Sequence, residues 1–210
     1  MIVADSFSTH EAAAQVISDG GLIAFRTDTF YGLGANPLDP VAVARIKKLK
    51  DREGNKPILV LVSDDHQVDR FIADRSKVFV AVTERFWPGP LTVVNTAVRA
   101  LPEPLTAGST TIGVRLPDDK NLRKLLRACG GALTATSANL TGEPPALTAA
   151  EVEVYFPESI DLIVDGGHVT ATRPSTVLAL EEPEPRLIRE GVIPREELSE
   201  FFEGIGLRLA

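Results

Sequence analysis

Two rhythms of apolar residues alternate along the chain. Continuous runs of three to six residues, with little or no polar interruption, fall at 22–25, 58–62, 91–95, 110–115, 132–136, 162–164, 176–180 and 186–189. Runs of that length bounded by turn residues predict strands. Between them lie stretches with helical spacing. Val43, Ile46 and Lys50 share one face, as do Leu122, Leu125 and Leu126. Start and stop signals frame these stretches. Ser8 and Glu11 match a capping box for a helix that runs to about 18 and ends at Gly20-Gly21. Asp39-Pro40 supplies an N-cap and a proline at N1, with Leu38 and Val43 placed as a hydrophobic staple. Thr148 and Glu151 match a second capping box. Further helices are predicted over 65–72, 77–86 and 195–203, although Val78, Val80 and Val82 also suit a strand. Trp87-Pro88-Gly89-Pro90 reads as a rigid turn, and an acidic turn over 181–185 joins the last two strands. No Pro/Gly/Ser linker or internal repeat divides the sequence. The pattern predicts one α/β domain over 1–210 (α+β by strict classification) with a mixed, twisted sheet flanked by helices.

Composition narrows the function. With 44% hydrophobic and 24% charged residues, the chain is ordinary globular material. No apolar run has the length of a membrane span, and the N-terminus lacks a basic segment followed by a long apolar one. A cytoplasmic protein without a membrane partner is expected. Cys129 is the single cysteine, so no internal disulfide can form, which fits a reducing compartment. The net charge is −7, and no basic run is longer than Lys47-Lys48. Stable nucleic-acid binding is not expected, because broad phosphate contact needs a basic surface. A small anion needs only a few convergent cations.

The candidate chemistry sits at the ends of predicted elements. Residues 26–37 follow the first apolar strand and crowd Thr27, Asp28, Thr29, Gly32 and Gly34 together. At a strand end, such a loop reads as a binding site rather than a simple turn. Nothing matches a dinucleotide loop or a P-loop, the three histidines are scattered, and no metal cluster is seen. Any metal is expected to arrive with a substrate's phosphates. Lys50, Arg52 and Lys56 lie between a helix and a strand, where they suit a phosphate chain. They equally suit a solvated loop at a helix C-terminus, where the macrodipole favours cations. Arg115 ends an apolar strand, as an anion clamp or a surface ion pair. Thr134 to Asn139 place small polar groups at another strand end, as phosphate ligands or as turn chemistry; Ser175 also suits turn chemistry, and Arg189 also suits a surface cation beside an acidic turn. Five cations and several hydroxyls recurring at element ends of an acidic chain would focus small anions in a cleft.

Seven of these segments, taken in order, resemble the YrdC/Sua5 family of threonylcarbamoyl-AMP synthases. They are Thr27-Asp28-Thr29-Phe30-Tyr31-Gly32-Leu33-Gly34, Lys50-Asp51-Arg52 with Lys56-Pro57, Phe86-Trp87-Pro88-Gly89-Pro90-Leu91-Thr92, Ile112-Gly113-Val114-Arg115, Thr136-Ser137-Ala138-Asn139-Leu140-Thr141-Gly142, Ser175-Thr176-Val177 and Leu187-Ile188-Arg189-Glu190-Gly191. The resemblance implies a twisted sheet with a large concave, positively charged cavity. It implies that ATP, L-threonine and bicarbonate, with Mg²⁺ brought by ATP, give threonylcarbamoyl-AMP and pyrophosphate. The product would pass to the machinery that transfers the threonylcarbamoyl group to adenosine 37 of tRNA, giving t6A. By the same resemblance, Thr29, Arg115, Ser175 and the backbone around Ala135 would bind L-threonine. Arg52, Lys56, Thr111, Ser137 and Arg189 would bind ATP, with Lys50 and Asn139 in the same polar set. No side-chain nucleophile or general base is implied. The chain looks like the short type, without the extra C-terminal domain of longer members. It departs from the family pattern at Arg26, where proline is usual, at Leu61, where histidine is frequent, and at Glu143-Pro144-Pro145, where a small polar residue is replaced by proline. Two other readings remain: a paralogue that adenylates a different carbamoyl or acyl acceptor, and a non-catalytic RNA-binding module.

Overall fold

The computed structural model describes residues 1–50, 56–180 and 184–210. Within them ten strands form one mixed sheet: β1 (Ile2–Ala4), β2 (Ile23–Arg26), β3 (Tyr31–Gly34), β4 (Leu59–Val62), β5 (Leu91–Thr96), β6 (Thr111–Arg115), β7 (Ala132–Ser137), β8 (Leu162–Asp165), β9 (Thr176–Ala179) and β10 (Arg186–Arg189). Their order across the sheet is β1-β8-β2-β3-β7-β4-β6-β5-β9-β10. Seven helices accompany them: α1 (Phe7–Ser18), α2 (Pro40–Leu49), α3 (Lys77–Phe86), α4 (Glu103–Thr106), α5 (Lys120–Ala128), α6 (Ala149–Tyr155) and α7 (Arg195–Gly204). Among the described residues, no helix is long and apolar enough to cross a membrane.

Strand alternation divides the core into three clusters. On β2, Ile23 and Phe25 join Ala13 and Ile17 of α1 and the Leu122-Leu125-Leu126 stripe of α5, while Ala24 turns to Val152 of α6. Farther along the sheet, Val60 and Val62 of β4, Leu91 and Val93 of β5, Ile112 and Val114 of β6, and Leu178 of β9 share a third cluster. That cluster holds Val43 and Ile46 of α2, Phe79 and Val82 of α3, and Leu198 and Phe202 of α7. Among the described residues, no helix packs on the opposite face of β6, β5, β9 and β10 in any of these clusters. A concave cavity opens there.

Several sequence expectations shift in the structure. Ser6, not Ser8, caps α1. Its backbone is extended and its side chain accepts from the Thr9 amide at 3.2 Å. Thr9 in turn donates to the Ala4 carbonyl at 2.7 Å, which draws residues 7 and 8 into the first turn. Asp39 caps α2 as expected, accepting from the amides of Val41 and Ala42, but Leu38 is 41% exposed and makes no buried staple. Thr148 caps α6, and Glu151 reaches back to the Leu147 amide at 2.6 Å rather than to that of Thr148. Residues 65–70 form a 3₁₀ helix, and 77–86 are helical, not extended. The segment after β2 is no loop. Thr27 closes a short turn, accepting from the amides of Thr29 and Phe30 at 3.1 Å and donating to the Phe30 carbonyl at 2.6 Å. The chain then returns as β3, antiparallel to β2 and to β7. Strand β1 and helix α4 were not expected.

Candidate active site

The cavity has a volume of about 490 Å³ and is built on strand register. Thr111, Gly113 and Arg115 alternate along β6 toward it, opposite to the core-facing Ile112 and Val114. On β5, Thr92 and Val94 face the same side. Leu59 and Leu61 of β4, and Ala135, Thr136 and Ser137 at the end of β7, complete the floor. The turn bearing Thr27 and Thr29 closes one end. From Arg115 to Thr111 is four residues of strand, about 13 Å at the usual rise. The cavity is therefore long enough for a ligand with two chemically different ends.

One end is built around Arg115. Its side chain is buried, and three acceptors hold the guanidinium. Nε donates to the Gly89 carbonyl at 3.1 Å, Nη1 to Thr29 Oγ1 at 3.3 Å, and Nη2 to the Asp28 carboxylate. Burial pulls the pKa of Arg115 down and Asp28 opposes that pull. Beside it, Ser175 Oγ lies 3.1 Å from Thr92 Oγ1, and Arg189 Nη2 donates to the Ser175 carbonyl at 2.8 Å. Burial, then the nearby Arg115 charge, lowers the Arg189 pKa. Both guanidinium groups remain cations at neutral pH.

Arg189 reaches the cavity through an irregularity. In regular alternation Ile188 and Arg189 would point to opposite faces. A register shift between Leu187 and Arg189 on β10 lets Arg186, Ile188 and Arg189 all line the cavity. Among the described residues the lining holds three arginines and no carboxylate, which makes it a seat for anions in an acidic protein.

Seven expected site residues come together in this lining: Thr29, Thr111, Arg115, Ala135, Ser137, Ser175 and Arg189. Four do not. Lys50, C-cap of α2 and only 5% exposed, turns its ammonium to the Ser137 carbonyl at 2.7 Å, to Asn139 Oδ1 at 3.0 Å and to the Asn139 carbonyl. Asn139 Oδ1 also accepts from Ser137 Oγ at 2.6 Å. Lys50 and Asn139 thus sit behind Ser137 and fix the end of β7. Lys56 is exposed beside Pro57, which does line the cavity. Arg52 lies outside the described residues.

The departures from the family pattern also find places. Arg26 turns away from the cavity to Asp119 Oδ2, 3.3 Å away, and its side chain packs against Gly166. Leu61 is part of the floor, whereas Glu143, Pro144 and Pro145 are outside the lining. Thr92 and Arg186 were missed as site residues, and Asp28, named in the loop read as a binding site, was given no role of its own. Thr92 and Val94 share the alternation that carries Arg115, but a strand's alternation does not reveal which face stays uncovered. Among the described residues no group of three or more His, Cys, Asp or Glu could hold a metal ion.

Comparison with known proteins places the chain in a family. The family model Sua5_yciO_yrdC, described as telomere recombination, matches residues 15–191. A threonylcarbamoyl-AMP synthase of Pyrococcus abyssi is 37% identical over 198 residues, which cover 94% of this chain and 58% of that one. A threonylcarbamoyl-AMP synthase of Idiomarina loihiensis is 37% identical over 175 residues, covering 81% of this chain and 92% of the relative. The crystal structure of P. abyssi Sua5 complexed with L-threonine superposes with a TM-score of 0.93 at 33% identity, over 100% of this chain and 62% of that one.

Proposed function

The chain belongs to the Sua5/YciO/YrdC family, and from that premise we propose that it is a threonylcarbamoyl-AMP synthase, joining L-threonine, bicarbonate and ATP with release of pyrophosphate. The observation that carries this reading is the buried Arg115 at one end of the cavity, with the hydroxyls of Thr29 and Ser175 beside the cationic fork. A fork flanked by hydroxyls suits an α-carboxylate and the hydroxyl of threonine. Arg189, Ser137 and Thr111 line the remaining length, which suits a nucleotide. Arg52 and Lys56 belong to the same reading as phosphate ligands.

The chemistry needs no protein nucleophile. The threonine amine attacks bicarbonate and water leaves, giving a carbamate. A carbamate oxygen then attacks the α-phosphate, and pyrophosphate departs. This brings two anions together, so fixed cations are needed to screen their repulsion and to stabilise charge that develops on the phosphoryl oxygens. Holding the reactants in line supplies much of the rest. Mg²⁺ enters as part of the nucleotide substrate. Among the described residues the lining has no carboxylate, and phosphate oxygens would be its ligands. The adenylate would pass to the tRNA threonylcarbamoyl transferase machinery.

The test is pyrophosphate release by the purified chain with ATP, Mg²⁺ and bicarbonate, with threonine present, omitted or replaced by serine. Threonine-dependent release and a product of threonylcarbamoyl-AMP mass are expected. Release that ignores threonine would instead mark a paralogue with another acceptor, and no release would remove the synthase reading.

A further inference from the structure

The Arg115–Asp28 pair joins the linings of two cavities. Arg115 lines the cavity described above. Asp28 does not; it lines a second, open cavity of about 410 Å³, together with Pro90, Asp118, Thr170 and Arg173. The Asp28 side chain is 16% exposed and that of Arg115 4%. Asp28 therefore meets the guanidinium from outside the lining of the first cavity.

A guanidinium has five N–H donors in one plane. Among the described residues three acceptors engage it: Gly89, Thr29 and Asp28. Two donors are left. Gly89 is itself fixed, because its amide donates to the Leu116 carbonyl at 2.9 Å. Asp28 is fixed by the Thr27 turn that surrounds it. The plane of the guanidinium is thus set by groups that do not depend on substrate.

We infer that Asp28 is a positioning residue, whose carboxylate anchors Arg115 so that the two remaining N–H donors face the cavity as a ready fork for the substrate carboxylate. This rests on the synthase reading for the identity of that substrate. Without the anchor, Arg115 keeps its charge but must be ordered by the ligand itself, and ordering a long side chain weakens binding. The loss falls on threonine alone, since Arg189, Thr111 and Ser137 make no hydrogen bond to Asp28.

The experiment compares Asp28→Ala and Asp28→Asn with the unaltered chain, titrating threonine and ATP separately in the pyrophosphate assay. Asp28→Ala is expected to raise the threonine KM at least about tenfold, the size of one charged hydrogen bond. The ATP KM should stay within about twofold. Asp28→Asn keeps an acceptor oxygen and should recover part of the loss. In an Arg115→Ala background, Asp28→Ala should add nothing further, because the two act as one unit. An unchanged threonine KM would overturn the inference, as would an equal rise in both KM values with a lower melting temperature. If Asp28→Ala does not fold, the Asn variant carries the same comparison. Failure of the synthase reading is separate: it would appear in the unaltered chain as release without threonine dependence.

Discussion

Lys50 and Arg115 are both buried cations, and their surroundings give them different work. Lys50 directs its ammonium at oxygens of Ser137 and Asn139, so its charge holds a strand end. Arg115 has a compensating carboxylate on one side and the cavity on the other. Burial acts in the opposite sense on groups that are neutral when protonated. The Cys129 thiol is pushed up to about 12 by burial alone. The Tyr31 hydroxyl, fully buried, is raised by burial and then by Asp165, to which it donates at 3.1 Å. Both folded values lie above the unfolded ones, so at alkaline pH the unfolded chain gives up these protons first. Their contribution is complete below the unfolded values, about 8.5 for a thiol and about 10 for a phenol, and is lost as pH rises beyond them. The melting temperature is therefore expected to fall progressively above about pH 9, and Cys129→Ala should soften the first part of that fall. Equal melting temperatures at pH 8 and pH 10.5 would contradict the burial argument.

At the scale of elements, the site depends on close contact between the segment that opens β9 and the one that closes β10. A Cβ on Gly191 would meet the Pro174 carbonyl oxygen at 2.2 Å, the Ser175 carbon at 2.5 Å and the Thr176 nitrogen at 2.6 Å. These are backbone atoms with no rotamer to retreat into. Gly191→Ala should cost about 1–3 kcal/mol, as overpacking usually does, and should weaken threonine use because Ser175 must move. Urea unfolding and the threonine KM check both parts. Wild-type values for both would mean that the segments slide apart freely. Strands β2 and β4 were legible because the runs at 22–25 and 58–62 are continuously apolar. Strand β3 was not, since Tyr31-Gly32-Leu33-Gly34 after Thr27-Asp28 looks like turn chemistry. Its glycines answer to tertiary packing instead: a Cβ on Gly34 would lie 2.5 Å from Phe25 Cε1. Pairing on both sides overrides local propensity there. Of the site, the strand-end residues Thr29, Arg115 and Ser175 were visible. Arg186 and the shift on β10 were not, and neither was the partner of Asp28, 87 residues away in sequence.

At the scale of the whole molecule, charge is segregated. The chain carries 29 acidic against 22 basic residues, yet among the described residues the cavity lining has arginines and no carboxylate. Such an arrangement draws small anions inward while the negative exterior repels polyanions. The cavity volume, about 490 Å³, is in the range of small-molecule and cofactor sites. An RNA backbone needs cations spread along a surface, each neutralised phosphate adding to the salt slope. The chain should therefore hold ATP in preference to tRNA at physiological salt. Any tRNA binding seen at 50 mM salt should fall steeply by 200 mM, while ATP binding falls far less. Fluorescence titrations of labelled tRNA and of a nucleotide analogue across that range make the comparison. Tight tRNA binding that survives 200 mM salt would place a nucleic-acid surface on this protein and would restore the RNA-binding module as the stronger reading.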